Sequence, residues 1–262
     1  VLKESHGEEE KDTYSSSPYG VTEAGINELA GLCFPFIDFH VHLRGGMTIE
    51  KALLRQAKIG IGIGVLRNIG KGWPIETDSE LKAFLKEVKG KPVFVGLQIN
   101  DRDWFIKHDR SLLRQLDYIL ADTMIMPMPT DRDEPVKLWL SDRYRINDPE
   151  KWMERYIRHN LRVISEPISI LANPTYLPPQ VAHLYGRLWT KSRMEKIIRA
   201  AIKNEVAFEI NARSGLPHER FIRLAKRLGA RFSFGTNNFN DRPISLERCF
   251  RAVRKFGLEP KD

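Results

Sequence analysis

The residues with the greatest chemical capacity stand in the segment FIDFHVHL (36–43), where Asp38, His40 and His42 recur at every second position. Alternate side chains of an extended strand share a face, so all three are expected to point the same way. Two imidazoles at that spacing can ligate one divalent metal ion, zinc or manganese, with help from other segments. The plainer alternative is that both histidines are satisfied by internal hydrogen bonds and bind nothing.

The ends of the later apolar runs supply Arg67 and Asn68, Gln98 and Asn100, Asp122, Asn173, Glu209 with Asn211 and Arg213, and Asn237 with Asn238. Most of these are amides, whose neutral oxygens are poorer ligands for zinc or manganese than imidazole or carboxylate. The pattern therefore supports a single metal on His40 and His42, with Asp122 or Glu209 completing its shell. The remaining carboxylate is the candidate general base. Arg67, Gln98, Asn100, Asn173, Arg213, Asn237 and Asn238 are candidates for substrate binding, the amides otherwise forming a hydrogen-bonded layer. Arg44, Arg67, Arg102 and Arg213 suit a phosphate or carboxylate, unless they pair with loop acids such as Asp101 and Asp103. Trp73, Trp104, Trp139 and Trp189 fall in loops on the same side, where aromatic rings cover a sugar face or, more commonly, cap a long loop.

These side chains need a scaffold that brings them together, and the rest of the chain reads as one. Apolar, β-branched runs at 36–43, 63–68, 92–100, 117–124, 168–175, 206–213 and 231–238 alternate with amphipathic helical stretches. Asp148 followed by Pro149, and Ser245 ahead of Glu247, are helix-start signals. Strands separated by helices make a parallel sheet, and seven such units favour closure into a TIM-like (β/α)7 barrel. Helix-to-strand connections are short, whereas 125–147 and 176–190, which follow strands, are long. Long loops of that kind gather at the C-terminal mouth of a parallel barrel, where sites lie.

The remaining bulk properties constrain partners. Residues 1–20 are polar and serine-rich and read as a disordered arm, leaving 21–262 for the barrel domain. The formal charge of +8 is spread over predicted helix faces, so a small-molecule partner is expected and no nucleic acid. No apolar run reaches the roughly 18 residues of a membrane span. Cys33 and Cys249 have no metal-ligand spacing, and the first residue is Val, which is compatible with a trimmed leader. The compartment stays open.

The segments FHVHL, ILANP, FEIN and FGTNN, with DYILAD more weakly, resemble the polymerase and histidinol phosphatase (PHP) family of metal-dependent phosphoesterases. The resemblance runs in order from residue 36 onward and implies a seven-stranded β/α barrel with a metal-binding His40–x–His42. It also implies ligands that this chain replaces. Arg67 and Asn68 stand where a histidine belongs, and Gln98 or Asn100 where a glutamate belongs. Asn173-Pro174 takes the place of His-Pro, and Asn237-Asn238-Phe239 that of Asp-x-His. The expected function is a PHP-like metal-dependent hydrolase of a small anionic or sugar-like substrate, a phosphoester among them. The alternative is a degenerate, non-catalytic barrel that binds a carbohydrate or phosphosugar.

Overall fold

The computed structural model describes residues 36–127, 135–240 and 245–262. The arm at 1–20, Cys33 and the start of the expected domain lie outside the described residues. The elements in chain order are β1 (Ile37–His42), α1 (Ile49–Ile59), β2 (Gly62–Ile69), α2 (Asp78–Val88), β3 (Phe94–Ile99), α3 (Trp104–Lys107), α4 (Arg110–Leu113) and β4 (Tyr118–Ala121). There follow β5 (Ile125–Met126), β6 (Val136–Lys137), α5 (Pro149–Ile164), β7 (Ile170–Leu171), α6 (Pro179–Ala182), α7 (Tyr185–Leu188) and α8 (Lys191–Lys203). The chain ends with β8 (Ala207–Asn211), α9 (Glu219–Arg227), β9 (Phe232–Gly235) and α10 (Glu247–Phe256).

Strands β1, β2, β3, β4, β7, β8 and β9 form a closed barrel in that order, each pairing parallel with its neighbours. This is the (β/α)7 barrel expected from the alternating pattern, and each of the seven expected runs overlaps one of its strands. The short antiparallel pair β5–β6 stands outside it, within the long connection after β4. The start signal at Asp148 acts as read: its carboxylate accepts from the Glu150 and Lys151 amides, and Pro149 takes the first turn. Among the described residues no helix is long and apolar enough to cross a membrane.

Most of the apolar core lies between the barrel wall and the helices, built from residues such as Val41, Leu97, Phe84, Tyr156 and Trp189. A smaller cluster, Leu66, Tyr118, Leu120, Ile170 and Ala172 with Phe39, fills the barrel itself. Tyr118 fits because its neighbours on β2 and β3 have no side chains. A Cβ on Gly96 would stand 2.4 Å from the Tyr118 ring, and one on Gly64 2.8 Å from its hydroxyl. That hydroxyl donates to the Phe39 carbonyl at 2.9 Å, so the ring's polar tip is satisfied inside an apolar plug.

One irregularity reshapes the chemistry. The β1–β2 register shifts between Asp38 and Val41, a bulge that interrupts strict alternation. Asp38 therefore does not join His40 and His42 as the sequence spacing suggested. It meets Arg55 of α1 in an ion pair of 3.2 Å, and accepts from the Thr236 hydroxyl and amide at 2.7 and 2.9 Å. Arg55 occupies the buried helical stripe Ile49, Ala52, Arg55, Ile59, and an arginine on an apolar stripe is the sequence signal for a buried partner.

Candidate functional site

Above the apolar plug lies a polar layer contributed by β1, β3, β8 and the ends of β4 and β7. His40 is fully buried at its centre. Its Nδ1 donates to Glu209 Oε1 at 2.5 Å and its Nε2 to Gln98 Oε1 at 3.2 Å. The Gln98 amide nitrogen in turn donates to Asp122 Oδ2 at 2.9 Å, and Asp122 Oδ1 accepts from the Met124 amide at 2.9 Å. Because an ionised carboxylate can only accept, that contact fixes which way the Gln98 amide faces.

On the other side of the ring, Glu209 Oε2 accepts from the Asn173 amide at 3.0 Å and from Asn211 Nδ2 at 2.9 Å. Asn211 Oδ1 accepts from the Ser214 amide, and the Ser214 hydroxyl donates to Asn173 Oδ1 at 3.0 Å. Gly235 of β9 leaves the necessary room, since a Cβ there would lie 2.1 Å from Glu209 Oε1. The ends of β7 and β9 also hold non-glycine residues at positive φ, Asn173 at 46°, Thr175 at 68° and Asn237 at 50°. Such backbone is costly and clusters where a fold is shaped for a task.

The charges respond to this arrangement. Burial alone would depress the His40 imidazole, but the Glu209 charge and hydrogen bond, with Gln98 and Asp122 adding, raise it above its ordinary value. Burial would favour neutral Glu209, yet His40⁺ and the bonds from Asn211 and Asn173 hold it below the usual carboxylate range. Burial pushes Asp122 up, against the Met124 amide, His40 and Arg102. Burial, then the charges of His40 and Arg44, drive His42 well below the usual imidazole range, against hydrogen bonding to Asn237 and Asn68. The two imidazoles are thus shifted in opposite directions, with ring centres 5.1 Å apart. The His42 Nδ1 and the Asn68 Oδ1 are both buried without a hydrogen-bond partner.

A metal ligand must offer an unprotonated nitrogen, and His40 spends both of its nitrogens as donors. Among the described residues no three His, Cys, Asp or Glu side chains are grouped to hold a metal ion. The donor set in this arrangement does not fit a zinc or manganese ion on His40 and His42.

The other expected site residues divide by place. Gln98, Asp122, Asn173 and Glu209 belong to the buried network. Asn100 accepts from Asn68 Nδ2 at 2.7 Å. Asn238 is fully buried, and its main chain continues β9 along β1, donating to the His40 carbonyl and accepting from the His42 amide. Arg67 is not brought to the mouth: it lies on the outer face of β2, paired with Glu87 at 2.8 Å and over the Phe84 ring of α2. Arg102 is likewise taken, by Glu166 at 3.0 Å. Arg44 and Arg213 both lie over the ring of Phe239, with guanidinium carbons 5.2 and 4.0 Å from its centre. Partial burial and then the like charge of Arg213 depress Arg44. Phe239 was not among the expected site residues, and its signal was its place directly after the Asn-Asn pair. Trp104 and Trp189 are buried core residues, Trp104 donating to Glu166.

No family model matches the chain, and no curated protein matches it in sequence. Solved structures do. One is a chain of archaeal ribonuclease P with mature tRNA, 16% identical over 86% of this chain and 83% of that one, with a TM-score of 0.43. Another is the HpcH/HpaI aldolase from Desulfitobacterium hafniense DCB-2, 12% identical over 80% and 89%, with a TM-score of 0.35. At these scores the strand pairing above, and not either likeness, carries the assignment of the fold.

Proposed function

We propose that this barrel is a degenerate, metal-independent binding protein that holds a small anionic ligand, such as a sugar phosphate, at its C-terminal mouth. The observation that carries the reading is the closed chain Asp122–Gln98–His40–Glu209, in which a proton-bearing imidazole occupies the place of a ligand to metal. The amides at 68, 98, 173 and 237 agree with it, because they replace the histidines and acids that a PHP-like metal centre uses. Arg44 and Arg213 supply the cationic side, held close together on Phe239 as a fork for phosphate or carboxylate.

Calorimetric titration with glucose 6-phosphate and with inorganic phosphate tests it. Saturable binding is expected that survives chelator treatment and falls about 10- to 100-fold in Arg44→Ala, the range for losing a charge-assisted hydrogen bond of about 1.5–3 kcal/mol. Elemental analysis supplies the opposing arm. The metal-dependent hydrolase, with His40 and His42 as ligands and Asp122 or Glu209 as base, draws support from the unpartnered His42 Nδ1. One equivalent of zinc or manganese in purified protein, lost in His42→Ala, would establish that reading and overturn the one proposed.

A further inference from the structure

Strand β8 has two faces. Glu209 and Asn211 turn inward to the polar layer, so Ile210 between them turns outward, toward α9 and α10. There, outside the barrel wall, Ile210, Leu216, Ile222 and Ala252 floor a cavity of about 330 Å³, at the lower end of the range of small-molecule pockets. Its rim is cationic. Arg248, Arg251 and Lys255 stand at i, i+3 and i+7 on α10, one face of the helix, and all three line the cavity.

The three differ in how far they are neutralised. Lys255 is paired with Glu219, and Arg251 lies 3.9 Å from Glu247. Arg248 makes no hydrogen bond or ion pair among the described residues, and its guanidinium is pressed against the main chain at Gly215. A Cβ at Gly215 would stand 2.1 Å from Arg248 Nη1, and Gly215 has φ +68°, so only glycine lets the arginine take this position. A cation seated by the backbone beside an apolar floor is a site for an anion with an apolar body.

We infer that the cleft between α9 and α10 binds a small amphipathic anion, one carboxylate, sulfonate or phosphate head against Arg248 with its apolar body on Ile210, Ile222 and Ala252. The site lies outside the β8 wall, whereas Glu209 and Asn211 face the polar layer inside it, and it does not depend on what the mouth binds. The probe is the fluorescent sulfonate 1-anilinonaphthalene-8-sulfonate, titrated into the full chain at neutral pH, with circular dichroism and melting curves verifying that each variant is folded.

One saturable dye site is expected, weakened at least tenfold in Arg248→Glu and lost in Ala252→Trp, whose indole fills the cavity. The uncharged analogue N-phenyl-1-naphthylamine should ignore Arg248→Glu, and Arg44→Ala should leave the sulfonate's affinity unchanged. Equal affinity for the sulfonate in wild type and Arg248→Glu overturns the inference. So does the absence of saturable binding, or a response to Arg44→Ala that places the dye at the mouth. If Ala252→Trp proves unfolded, the exposed pair Arg248→Glu/Arg251→Glu decides alone by the same criterion.

Discussion

His40 of β1 and Glu209 of β8 meet inside the barrel with Nδ1 and Oε1 2.5 Å apart, neither side chain more than 1% exposed. Removing one partner of a buried pair leaves an uncompensated charge, which typically costs about 3–5 kcal/mol. His40→Ala and Glu209→Ala should each lose that much in guanidinium unfolding. The double variant should lose clearly less than the sum, as two groups sharing one interaction require. Additive losses would show that the two side chains act separately.

The aromatic plug gives a steric test. Gly96→Ala drives a methyl into the Tyr118 ring, and overpacking of this kind costs about 1–3 kcal/mol. Tyr118→Leu in the same chain should recover part of the loss, because the ring atoms that the methyl meets are gone. A Gly96→Ala melting point equal to wild type would contradict the described packing.

His159 supplies a pH dependence away from the mouth. Burial, then the charge of Arg102, lowers its pKa from 6.5 to about 4, against hydrogen bonding to Ile125. Between these values the unfolded chain binds a proton that the folded chain does not, so acidification from pH 6.5 to about 4 withdraws stability. The stability difference between wild type and His159→Gln should move in the variant's favour over that interval and stay flat above pH 7. Urea midpoints at stepped pH measure it, and a difference constant from pH 7 to 4 would contradict burial of a neutral ring.

Asp148 offers a local control. Its carboxylate caps α5 through two amides, and loss of such a cap costs about 0.5–2 kcal/mol. Asp148→Ala should lower the melting temperature accordingly, with Asp148→Ser recovering most of the loss.

How much of this was legible in the sequence follows from the range of the forces involved. Strand positions and the Asp148 cap depend on neighbours a few residues apart, and the β/α alternation displayed them. The His40–Glu209 contact joins residues 169 apart in sequence, and no periodicity names that partner. Asp38 was misplaced for a different reason: a bulge of one residue after it reverses the face that alternation assigns. Arg67 and Asn68 are adjacent, and which of them enters the barrel depends on register, which the β2–β3 pairing sets and composition does not. The glycines opposite Tyr118 and Glu209 carry no chemistry of their own, so their use as room for another side chain emerges only in three dimensions.

The aromatic plug also has a kinetic consequence. Phe39, Tyr118, Leu66, Leu120 and Ile170 lie beneath the His40 ring, so hydroxide and water approach its protons only from the mouth. Exchange of the Nδ1 proton with solvent then waits on opening of the mouth and not on the chemistry of imidazole. At neutral pH, where protons of exposed histidines are averaged away, the His40 proton should persist as a discrete low-field resonance. Its lifetime would serve as a clock for how often that end of the barrel opens.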